Sequence, residues 1–116
     1  MQVRQFLRKG ELALVIFTTG GRLHIDPVSH AGSTGNWDLN PERAAGVQRV
    51  FLYHRHGDPE TNDLYVATFT GTEPSEEPDE KGRHRVTFEH AQFVGTTDAD
   101  WYDFAGKGQN PVRYVS

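Results

Sequence analysis

Two short apolar runs, "ELALVIFTT" at 11–19 and "RVFLYHR" at 49–55, set the tightest limit on how this chain folds. Each has the length of a strand and is rich in β-branched or aromatic residues. Both are apolar at consecutive positions. Side chains of a strand alternate between its two faces, so both faces of these segments need cover, as in a barrel or sandwich interior.

The other strand signals rest on alternation and on turn residues. In "LYVATFTG" (64–71), Leu64, Val66 and Thr68 face one way and Tyr65, Ala67 and Phe69 the other. In 83–95, Val86 and Phe88 alternate with Arg85, Thr87 and Glu89, until the pattern shifts near Ala91 and Phe93 and Val94 become the apolar pair. Such a shift predicts a bulge or a corner. "GGRLHI" predicts a Gly-Gly turn and a short strand returning beside 11–19, and "PVRYV" (111–115) a terminal strand. Helical signals are brief: 3–9, with Val3, Phe6 and Leu7 on one side; 40–47, capped by Asn40 with Pro41 first; and 97–108, opened by Thr97 and stopped by Gly106. Strands and helices do not alternate as βαβ units would. The expectation is one domain over 1–116, mainly β with short helices (α+β), built as a small antiparallel barrel.

Net charge is −4, which argues against nucleic acid as a partner until its distribution is considered. Five of the sixteen acids (Glu73, Glu76, Glu77, Asp79, Glu80) fall in the stretch 72–82, expected to be an exposed loop; the rest of the chain is close to neutral. There is no cysteine, so disulfides and thiolate chemistry are excluded. No apolar run approaches membrane-spanning length and no leader-like segment opens the chain, so a cytoplasmic protein without membrane contact is expected.

The stretch "HIDPVSHAGSTGNWDL" (24–39) has neither helical nor strand period and surrounds one tryptophan with turn-forming residues. It predicts a binding loop. A flat ring needs an aromatic surface to stack on and fixed polar tips at its edge. Trp37 supplies the first; Ser33, Thr34 and Asn36 supply the second, with Asp26 as an acceptor and Gly32 and Gly35 allowing close approach. Arg22, Arg55, Arg83 and Arg85, with Arg49 and Lys107, are the cations available for phosphates. The competing reading makes Trp37 a lid on the core.

The layout "GNWDL…RVFLYHR…LYVATFTGTEP" resembles the PUA-like barrel superfamily, in particular its EVE and YTH branch, over about residues 11–95. The resemblance implies a closed β-barrel that reads nucleic acid through a base, a modified one in particular, held among aromatic rings. It places Trp37 as the loop tryptophan and Phe51 and Tyr53 as strand aromatics, and leaves a second cage ring to Trp101 or Tyr102. The expectation is a non-catalytic reader without a cofactor, acting on DNA or RNA, with a separate effector protein as a further partner.

Two other readings compete. "HRHGDPE" spaces His54, His56 and Glu60 as H-x-H-x-x-x-E, similar to the first motif of cupins, and alternate strand residues share a face on which one metal ion could sit. Gln48 stands where that motif expects glycine, and no second motif follows. The other reading is a protein-interaction module using the edge of "PVRYV". Neither a G-x-S-x-G nor a Walker-type loop is present, so an enzyme is not expected.

Overall fold

The structure is a computed structural model and describes residues 6–19, 22–56, 61–77, 79, 82–97 and 112–115. Among the described residues seven strands and one short helix follow in the order β1 (Ala13–Thr19), β2 (Leu23–Ile25), β3 (Gly32–Trp37), α1 (Pro41–Ala44), β4 (Arg49–His56), β5 (Thr61–Pro74), β6 (His84–Thr97) and β7 (Val112–Val115). They form a single sheet ordered β2-β3-β6-β5-β4-β1-β7. Among the described residues the two edges, β2 and β7, do not pair with each other. The predicted closed antiparallel barrel is therefore corrected to an open, mixed sheet, with β1 and β4 parallel and the remaining neighbours antiparallel.

The doubly apolar runs occupy the centre, as their composition demands. Leu14, Ile16, Val50 and Leu52 face one core, joined by Trp37, Ala67, Val86, Phe88 and Val112. Ala13, Val15, Phe17, Phe51 and Tyr53 face a second core with Leu64, against which Phe6, Leu7, Val66 and Val94 pack. Residues of both edge strands, Leu23 and Ile25 on β2 and Val112 and Tyr114 on β7, reach the first core, so the sheet curls around it.

The long β5–β6 ribbon shifts register at three places. At one of them, His90 and Ala91 together oppose Ala67, which is the bulge expected near Ala91. Its first residue, His90, has φ +56°, the left-handed backbone that such bulges usually give to glycine. The ribbon closes through Ser75 N–H to Arg83 O at 2.9 Å. Its strands run further than expected: Glu73 is in β5 opposite Arg85, and the acidic loop begins after Pro74.

Three other expectations change. The segment 24–39 is not one loop, because 32–37 is strand β3, paired on one side with β2 and on the other with β6. Its weak strand propensity is overridden by those two ladders. The glycines suit them: a Cβ on Gly32 would collide with the His24 carbonyl oxygen, and one on Gly35 would lie 2.7 Å from Arg85 Cγ. The predicted β1–β2 hairpin is absent, since β1 is already paired on both sides, with β4 and β7. Residues 6–10 are not helical; Arg49 ties this segment down, its guanidinium bonding Phe6 O and Glu11, with Nη2 2.6 Å from Glu11 Oε1. Helix α1 forms as expected, Asn40 Oδ1 accepting Glu42 N–H at 2.9 Å. Residues 98–108 of the last predicted helix lie outside the described residues.

Candidate functional site

The aromatics expected to frame one pocket are divided between the two faces of the sheet. Trp37 belongs to the first core and is 7% exposed; its Nε1–H donates to Thr34 Oγ1 at 3.2 Å, and the Arg22 guanidinium lies 5.7 Å from its ring centroid. Tyr53 belongs to the second core, fully buried and stacked on Phe17 with centroids 5.1 Å apart. Both rings, expected as stacking surfaces, are packed within the cores and present no open face. The reason is packing. Each indole or phenol face is already covered by protein, and Phe51, with Arg49 5.0 Å from its ring centroid, is buried likewise.

The polar tips follow the same logic. Thr34 is buried, and its hydroxyl donates to Arg22 O at 2.7 Å while accepting from Trp37, so it is part of the core. Ser33 is half-buried on β3, where it lines a shallow groove with His24 and Asp26. Asp26 holds a turn: its Oδ1 accepts Val28 N–H at 2.8 Å and Ser29 N–H at 2.9 Å. Those main-chain hydrogen bonds, Ser29 first and Val28 second, keep its carboxyl below the ordinary value of 3.8. The side chains of Asn36 and His56, and the whole of Glu60 and Trp101, lie outside the described residues.

The expected phosphate cations stand in different settings. Arg22 covers Trp37, Arg55 is half-buried in β4, Arg83 is exposed at the hairpin, and Arg85 pairs with Glu73 at 2.8 Å. His54 is half-buried on β4. Among the described residues no three His, Cys, Asp or Glu side chains gather as metal ligands would.

A different place has the properties of a site. Where the β5–β6 ribbon bends, a cavity of about 600 Å³ opens beside the first core. That is within the usual range for small-molecule pockets. Its floor is Ile25, Tyr65 and Ala91, and its rim carries Phe93, Gln92, His30 and His90. Tyr65 and Phe93 are cross-strand partners, their rings edge to face at 5.6 Å and 60°. Burial first, and Asp63 second, push the Tyr65 phenol above its ordinary value, so it stays a protonated donor at neutral pH. Phe93 is 57% exposed although it lies in a strand.

The turn built by Asp26 brings His30 to the cavity. Asp26 N–H donates to Ala31 O at 2.8 Å and His30 N–H to Asp26 O at 2.9 Å, and His30 O then accepts Ala91 N–H at 2.9 Å. That last bond braces the turn on the bulge. Both histidines at the rim are left-handed, His30 with φ +61° and His90 with φ +56°. Sequence reading located the bend, from the break in alternation near Ala91, but not the cavity, which needs β2, the turn and the ribbon together.

No family model, curated protein or solved structure matches the chain. Among the described residues the chain is mainly β, a mixed sheet that is not closed, with a pocket lined by Tyr65 and Phe93 at the bulge. Among the described residues no helix is long and apolar enough to cross a membrane.

Proposed function

We propose that this protein is a non-catalytic binding module that holds a flat heteroaromatic ring of nucleobase size in the Tyr65–Phe93 pocket. The ligand class is the one the EVE and YTH resemblance implied, carried by a different set of residues: a base presented by a nucleoside or by an unpaired position of nucleic acid. The observation that carries the reading is Phe93, more than half exposed and set against Tyr65 at the mouth of a cavity with an apolar floor. An exposed aromatic face beside a preformed cavity is where a ring stacks, and such stacking is worth about 1–3 kcal/mol.

Phosphate attraction contributes little here, because Arg85 and Arg49 have carboxylate partners and neither lines the cavity. Affinity should therefore depend on the base more than on chain length, with a shallow salt dependence.

The test is titration by calorimetry with the four common deoxynucleosides and with short single-stranded oligonucleotides. Binding is expected for at least one base, with main-chain amide shifts by NMR at Ala91, Gln92 and Phe93. Phe93→Ala should weaken it by about tenfold or more, the equivalent of one stacked ring, while leaving the fold intact. Unchanged affinity in that variant, or shifts confined to other strands, would refute the assignment.

A further inference from the structure

The two left-handed histidines stand at positions where glycine is the residue without a steric penalty. Among the described residues they are the two non-glycine residues with such a backbone, and both line the same cavity. Histidine enters this region more readily than most residues, but a pair meeting at one pocket calls for a reason beyond tolerance. Their internal contacts do not supply one. His30 is held through its main chain, to Asp26 and Ala91, and its charge interaction with the Asp26 carboxylate is the smallest of the causes that lower that group's pKa. His90 Nε2 is 3.7 Å from Glu89 Oε1, with 75% and 52% of these side chains exposed, too long and too wet to fix a bulge.

We infer that His30 and His90 are the specificity-determining residues of the pocket, kept at strained positions because their imidazoles meet the polar edge of the bound ring. This rests on the ring-binding reading above. The floor of Ile25, Tyr65 and Ala91 and the face of Phe93 can hold any flat ring. Imidazole adds one N–H donor and one acceptor in its neutral form, so two of them at the rim distinguish a base, which has donors and acceptors along its edge, from a hydrocarbon ring of the same shape.

The experiment compares natural deoxynucleosides with two shape mimics that lack hydrogen-bonding edges, the difluorotoluene and methylbenzimidazole deoxyribosides. They are titrated against the wild-type chain and the double variant His30→Gly/His90→Gly. The wild type should prefer a natural nucleoside over its mimic by about tenfold or more. In the double variant that preference should vanish while mimic binding persists. The same variant should melt at a higher temperature, since strain is relieved at both positions.

Loss of stability, including failure to fold, would assign the imidazoles to the fold and overturn the inference. So would a preference that is absent in the wild type or that survives in the variant, and in both cases the ring-binding reading stands. If neither nucleosides nor mimics bind the wild type, that reading falls as well. Glycine's added mobility weakens nucleoside and mimic alike, so the ratio isolates the edge contact.

Discussion

Trp37 shows how much a single residue's role depends on what surrounds it. Both readings of its indole, stacking surface and lid, were compatible with a tryptophan among turn formers, and the sequence separated them only weakly. The structure decides through three contacts: the first core beneath it, Thr34 Oγ1 on its N–H and Arg22 over its ring. Trp37→Ala is accordingly expected to cost about 3–5 kcal/mol, as aromatic truncations in cores do. Urea unfolding should show this as a lower midpoint with an unchanged slope. A loss under 1 kcal/mol, well short of that expectation, would mean the indole is not packed as described. Arg49 makes the same point for charge. Counted among candidate phosphate contacts, it is 15% exposed and bonded to Glu11, itself 7% exposed. A long cation on a strand looks available in sequence because its partner is 38 positions away.

Among elements, the turn from Asp26 to Ala31 and the bulge at His90 matter most, since together they shape the pocket. The turn depends on a carboxylate, and its pH response has a definite sign. Asp26 has its folded value lowered, so its contribution is complete above the ordinary value of 3.8 and is lost as pH falls through the lowered one. Asp26→Ala should therefore narrow its stability gap to the wild type on acidification below that range, and hold a constant gap at higher pH. Thermal unfolding of both proteins from neutral pH downward reads this directly; a gap that widens in acid would contradict the hydrogen bonds assigned to the turn. Strands β1 and β4 were legible as apolar runs, β5 and β6 from alternation, β2 and β7 as short strands beside turns, and helix α1 from its cap. β3 was not. A strand reading "GSTGNW" has two glycines and no run of β formers, and it exists because β2 and β6 offer hydrogen bonds on both sides.

At the scale of the molecule, the two cores share β1 and β4, whose alternate side chains supply both. Neither core can open without exposing the other face of the same strands, so unfolding should be a single cooperative transition. Tryptophan fluorescence and far-ultraviolet circular dichroism should give coincident denaturant curves; separated midpoints would mean that the cores melt independently. Alone, the sequence determined that two segments are buried on both faces, that the ribbon breaks near Ala91, and that a proline-started turn of helix follows Asn40, because each is written in neighbouring residues. Only the tertiary structure decided that β1 runs parallel to β4, that the sheet stays open, that Trp37 and Tyr53 lie on opposite faces, and that His30, His90, Tyr65 and Phe93 meet. Those outcomes depend on pairings between residues far apart in the chain, and local pattern carries no record of which distant strand will fill an edge.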